Sequence, residues 1–161
     1  MRSPESKPAV LFGLFPLAMA VRLDEPHLLD DLSRPSGGAS AYAHMDVVCV
    51  CFTQTWNPPA LHTAQALEAL RTDKSKLPPN VHVLIVDADA APTAAWQNGA
   101  YAYPSVCLFR GSDGTPLSIS RPFFAVDCKV CGPIAPRLLE QLLKAAAESV
   151  KKGTTTVRLD W

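Results

Sequence analysis

Residues 46–52 read DVVCVCF and residues 81–87 read VHVLIVD. Runs that are apolar at nearly every position, rather than every second one, mark strands buried on both faces. Between them Leu61, Ala64, Leu67 and Leu70 recur at helical spacing and predict a helix from about Pro58 to Arg71, followed by a polar loop over 73–80. Upstream, Met19–Leu23 reads as a short first strand. Leu28, Leu29 and Leu32 give a short helix over Glu25–Leu32, and residues 34–43 a loop. Downstream come a short helix over Ala91–Asn98 closed by Gly99, and two strands, Ser105–Arg110 and about Pro116–Phe123. Gly111-Ser-Asp-Gly114 between those strands is a hairpin signal. A last helix spans about Pro136–Lys152, with Leu138, Leu139, Leu142, Leu143, Ala146 and Val150 on one face and Gly153 as its stop. Alternating β and α units followed by a hairpin and a helix predict a mixed central sheet covered by helices on both faces. The domain is placed over 19–152, with an apolar extension over 1–18 and a strand-like tail over 153–161.

The composition is globular. At 161 residues, 48% apolar and 19% charged, the chain is long enough to bury a core without staples. Lys plus Arg balances Asp plus Glu at 15 each, and there is no basic run or Gly-rich phosphate loop, so nucleic acid is not an expected partner. Five cysteines, an odd number, make a poor disulfide framework and favour a reducing compartment, cytoplasm or mitochondrion. The competing signal is N-terminal: Arg2 and Lys7 precede the apolar run Ala9–Leu17, and Ala18-Met19-Ala20 has the form of a signal-peptidase site, which would send the chain to the secretory pathway. That run is too short to span a bilayer. No cofactor is called for. His27, His44, His62 and His82 are scattered, so no metal site is expected, and His82 on a strand reads as a structural histidine.

The segment Thr55-Trp56-Asn57-Pro58-Pro59-Ala60 lies where the first long strand turns into a helix. If Pro58 and Pro59 open that helix, neither has an N–H, and the Asn57 side chain is set to accept the first free one, from Ala60. With the element order, these residues carry a resemblance to the thioredoxin family, of thioredoxin, tryparedoxin or nucleoredoxin type. Asp46–Phe52 resembles its central strand. Trp56-Asn57-Pro58-Pro59-Ala60 stands where the family has W-C-G-P-C or W-C-P-P-C. Val81–Asp89 resembles the next strand with its acidic end, and Tyr103-Pro104-Ser105 the cis-proline turn. The resemblance implies a three-layer α/β sandwich over most of the chain. It also implies that Asn57 and Ala60 replace the nucleophilic and resolving cysteines, and that Cys51 replaces a buried acid. An amide cannot ionise to a thiolate, so the family's chemistry is not expected at this turn.

Function is therefore expected to be that of a redox-inactive domain acting through a protein partner, as a structural or adaptor subunit of a larger assembly. Trp56, Pro58, Pro59, Tyr103 and Pro104 are its candidate binding surface, and the backbone before Pro104 is suited to strand addition. Two other readings stay open. Cys128-Lys-Val-Cys131 is a second C-x-x-C, read as lying in the loop before the last helix. There it acts as an accessory thiol–disulfide site, forms a disulfide, or remains as plain thiols. A lumenal, non-catalytic chaperone domain would require processing of the N-terminus. Cys49, Cys51 and Cys107 read as small core residues, and Asp87 and Asp89 as helix-capping residues.

Overall fold

Strand β1 (Val47–Thr53) is buried at all seven positions, the pattern of a strand enclosed on both faces. The fold is that of a computed structural model, which describes residues 21–33 and 41–161. On one edge β1 pairs in parallel with β2 (Val81–Asp87), Val47 opposite Val81. On the other it pairs antiparallel with β3 (Ser105–Arg110), Val47 opposite Arg110. The last strand of this sheet is β5 (Lys129–Cys131), antiparallel to β3, which gives the order β2-β1-β3-β5. A separate two-stranded sheet pairs β4 (Ser118–Ser120) in parallel with β6 (Thr156–Arg158).

Alternation along β1 divides the interior in two. Cys49 and Cys51 face the side covered by α2 (Pro58–Thr72) and α4 (Pro136–Lys151), through Leu61, Ala64, Leu67, Leu139, Leu142 and Leu143. Val48, Val50 and Phe52 face the side covered by α3 (Pro92–Gln97) and by a 3₁₀ turn, Pro26–Leu29, that runs into α1 (Asp30–Ser33). This is the three-layer sandwich with a mixed sheet that the sequence predicts. All three core cysteines are buried, and loss of hydration pushes the thiols of Cys51 and Cys107 up to about 12 and that of Cys49 well above its ordinary value. They are packing residues, as expected.

Over its described residues, 21–23, the expected first strand forms no ladder. Met19 and Ala20 lie outside the described residues, as do the apolar extension and most of the predicted 34–43 loop. Val21 makes an isolated bridge, and the next regular structure starts at Pro26. At this junction the Arg71 guanidinium reaches in from α2. It donates to the carbonyls of Arg22 (2.6 Å) and Val83 (3.3 Å), acceptors that a strand ladder would use. It also pairs with Asp24 (2.6 Å) and Glu68, and all three side chains are about nine-tenths buried. Asp24 then completes the junction: its N–H donates to the Ile85 carbonyl (2.7 Å) and its carboxylate accepts from the Ile85 N–H (2.8 Å).

The hairpin forms only in its first half. Arg110 N–H donates to Thr115 C=O and Gly114 N–H to Arg110 C=O, both at 2.8 Å. Gly114 has φ +72°, and a Cβ there would lie 1.9 Å from the Leu32 carbonyl oxygen, so the turn requires glycine. Phe109 bridges Pro116, and Leu117 N–H bonds to Leu108 C=O. The next β3 residue, Cys107, instead pairs with Lys129. Residues Ser118–Cys128 are thus looped out of the second arm, replacing the predicted continuous strand to Phe123. The strand-like tail folds onto this excursion through β6, placing Val157 in the core.

Replacing Arg71 by leucine leaves buried Glu68 without its cation and Asp24 with only the half-exposed Arg22, 3.8 Å away, and is expected to cost about 3–5 kcal/mol in urea unfolding. Arg71→Lys recovers only part of it, because an ammonium cannot span the same set of acceptors. A loss under about 1 kcal/mol would show that the junction does not depend on the guanidinium.

Candidate functional site

At the end of β1 the chain turns through Gln54–Asn57. Asn57 N–H donates to the Gln54 carbonyl, and its side-chain amide donates to Gln54 Oε1, both at 3.1 Å. Asn57 is extended (φ −104°, ψ 105°) and is the N-cap of α2: its Oδ1 accepts a long hydrogen bond, 3.5 Å, from Ala60 N–H. Its carbonyl accepts the first helical bond, from Leu61 (2.9 Å). Pro58 and Pro59 occupy the first two helical positions, so the cap forms on the donor read from the sequence.

Trp56 projects from this turn, 67% exposed. Its indole N–H donates to Asp89 Oδ2 at 2.7 Å, which fixes the direction of the ring. The capping role expected for the two aspartates does not hold. Asp87 accepts from Asp89 N–H (3.0 Å), a local turn bond, and Asp89 binds Trp56, while Ala91 at the start of α3 has no side-chain cap. The β2–α3 junction therefore orients the tryptophan of the β1–α2 junction. Nothing in the spacing of Asp87 and Asp89 signals this, because the contact joins residues 33 apart.

Tyr103 lies within range of the charge on the same carboxylate. Burial, with a further contribution from the charge of Asp89, raises the pKa of its hydroxyl, which donates to Ala100 C=O at 2.9 Å. The Tyr103–Pro104 peptide bond is cis, as the resemblance implied. Pro104 is buried, so among the expected surface residues it supports rather than presents. Trp56, Pro58 and Pro59 are exposed and Tyr103 is half-buried. The main-chain N–H and C=O of Tyr103 make no hydrogen bond among the described residues. Next to them Ser105 Oγ donates to Ala102 C=O (2.6 Å), tying the loop to the start of β3. A further exposed aromatic pair, Trp96 and Tyr101, sits on α3 and this loop in edge contact at 4.6 Å; sequence reasoning did not single it out, since Trp96 reads as one more apolar helix residue.

The second C-x-x-C is not in a loop before a helix. Lys129–Cys131 is β5, because Ser105–Cys107 offers it an open strand edge. Cys131 reaches the cis-proline turn: its Sγ is 3.4 Å from Ser105 Oγ, and the next N–H, from Gly132, donates to Pro104 C=O at 2.9 Å. Cys128 lies at the other end of β5. Both thiols are free and exposed. With two extended residues between them, their Cα atoms are about 10 Å apart, beyond the ~7 Å that a disulfide spans. Among the described residues no group of His, Cys, Asp and Glu is arranged to hold a metal ion, and no helix is long and apolar enough to cross a membrane.

No protein-family model matches the sequence, and no curated protein does. Solved structures do. A mutant thioredoxin from Halobacterium salinarum aligns with 70% of this chain and 88% of its own, with a TM-score of 0.50 and 18% identity. Mitochondrial thioredoxin 3 of Saccharomyces cerevisiae in its oxidised form aligns over 64% and 81% (TM-score 0.43, 23% identity), and the thioredoxin of Fasciola hepatica over 64% and 83% (0.46, 19%). Identities this low speak to architecture alone. With its mixed sheet, its helices on both faces and its cis-proline before β3, this chain has a thioredoxin-like fold.

Proposed function

We propose that this chain is a thioredoxin-like domain without thiol–disulfide activity, which holds an extended segment of a partner protein and serves as a structural or adaptor subunit. The observation that carries this reading is the open main chain at Tyr103, beside the exposed ring of Trp56 that Asp89 holds in place. An incoming strand would take its hydrogen bonds from Tyr103 and set a side chain against Trp56 and the exposed Pro58 and Pro59.

The turn itself is built for shape rather than for redox chemistry. If Asn57 and Ala60 occupy the family's two cysteine positions, as the resemblance implies, a helix cap has replaced a nucleophile, and the cap's role is conformational. Cys128 and Cys131 offer no substitute dithiol, since the strand between them keeps them apart. Five free thiols suit a reducing compartment such as the cytoplasm or the mitochondrial matrix.

With dithiothreitol as reductant, insulin disulfides should be reduced at the uncatalysed rate in the presence of this protein. Turnover that disappears in Cys131→Ser would overturn the proposal in favour of an atypical oxidoreductase. Asn57→Ala should lower stability by about 0.5–1 kcal/mol in chemical denaturation, with Asn57→Asp close to wild type, because both side chains cap well. Equal losses in the two variants would show that the amide acts other than as a cap. Peptides selected from a random display library should lose binding when one backbone amide is N-methylated, and bind at least about tenfold more weakly to Trp56→Ala. Binding that dithiothreitol abolishes would point to mixed disulfides instead.

A further inference from the structure

The rim that carries Trp56 and Tyr103 is aromatic in its exposed rings and acidic in its charge. Trp56 and Asp89 are both exposed, and the indole N–H donates to Asp89 Oδ2 at 2.7 Å, so a carboxylate sits at the edge of the ring while most of the ring faces solvent. Asp87 stands two residues back, and its Oδ1 accepts from Asp89 N–H at 3.0 Å. Both carboxylates thus accept from neutral donors, and among the described residues neither forms an ion pair. By contrast Asp24, Glu68, Asp113, Asp127 and Glu140 each have a cation from their own chain. Arginine does meet aromatic rings elsewhere in the molecule: the guanidinium carbon of Arg121 is 4.1 Å from the centre of the Phe124 ring and 5.9 Å from that of Trp161. Among the described residues no such cation stands over Trp56. The start of α2 does not reverse the sign of the rim, because Pro58 and Pro59 carry no N–H and Asn57 accepts those of Ala60 and Leu61.

We propose that the partner segment presents a basic side chain, arginine in preference to lysine, whose cation packs on the face of Trp56 with Asp89 as its counter-charge. This preference presupposes the peptide-binding reading and adds to it the residue that the rim selects. Indole has the most negative face of the aromatic side chains and attracts a cation placed within about 6 Å of the ring centre. The carboxylate held at the indole N–H adds a full negative charge at the ring's edge, so a cation over the ring is attracted by both. Arginine suits the position better than lysine, because a planar guanidinium stacks flat on the ring and still turns N–H groups toward a carboxylate at its edge. An acidic side chain is repelled there. A purely apolar one covers Trp56 but strips water from the adjoining carboxylate without supplying a cation, which disfavours it. General attraction does not account for such a choice: the chain carries 15 acidic and 15 basic residues, so a preference for a cation has its origin at this rim. Asp89 then has two tasks, fixing the direction of the tryptophan and discriminating among the segments that reach it.

Selection from a random peptide display library on the wild-type protein should enrich arginine, and lysine less strongly, at one position of the bound sequences. A synthetic peptide of the selected sequence, followed by fluorescence anisotropy, should bind about threefold to thirtyfold more weakly when that residue is changed to glutamine. Asp89→Asn keeps an acceptor for the indole N–H and removes the charge. It should weaken the basic peptide at least about threefold and leave the glutamine peptide unchanged. Trp56→Leu, which keeps apolar bulk without an aromatic face, should remove most of the advantage of the basic peptide over the glutamine one, and raising the salt from about 0.01 M to about 0.15 M should shrink it in the wild type. Peptides that need Trp56 but show no enriched basic residue overturn this inference and leave the peptide-binding reading standing, as does an Asp89→Asn variant that binds both peptides equally weakly. If no peptide is selected at all, both fall.

Discussion

Burial of β1 on both faces and both edges is the constraint on which the structure depends. Seven consecutive residues, Val47–Thr53, have no access to solvent worth the name, so every main-chain group among them needs a neighbouring strand and every side chain a covering helix. β2 and β3 supply the strands, while α2 and α4 cover one face and α3 with the Pro26–Ser33 segment the other. Once β1 is central, its carboxyl end must emerge between the layers, and the Gln54–Asn57 turn must start a helix at once. The Asn57 cap and the two prolines are the local answer to that demand.

The candidate site is a consequence of strand ends converging at one rim of the sheet. The end of β1 brings Trp56, the end of β2 brings Asp89, and the start of β3 brings Tyr103 with its open main chain. Asp89 ties the first to the second by a hydrogen bond and influences the third by charge, so three separate loops act as one surface. Cys131 arrives at the same rim because β5 ends opposite Ser105. Its position puts a thiol beside the proposed peptide path, yet the extended geometry of β5 sends its partner in the C-x-x-C away from it.

Interruption of the second hairpin arm shapes both the cis-proline rim and the Ser118–Cys128 excursion. Lys129–Cys131 can reach β3 only because Ser118–Cys128 has left the ladder, and the displaced β4 finds a partner in the C-terminal β6. One rearrangement therefore accounts for the placement of Cys131, the folding of the tail into the core and the display of Phe123 and Phe124.

Long apolar runs and helical spacing made β1, β2, α2, α3 and α4 legible in the sequence, since burial on both faces or on one helical stripe leaves a periodic record. The Asn57 cap was legible for a related reason: two prolines remove the nearer donors and leave Ala60 N–H as the first in reach. What could not be read there depends on partners far apart in the chain. Arg71 bonds carbonyls 49 and 12 residues away at the N-terminal junction, Asp89 serves Trp56 rather than a helix, and β3 exchanges one partner for another at Cys107. Local pattern specifies which residues must be buried and how a chain segment can bend. Which strand edge or which carboxylate completes the arrangement is decided by three-dimensional proximity, because a hydrogen bond depends on distance and angle and leaves no periodicity in the sequence.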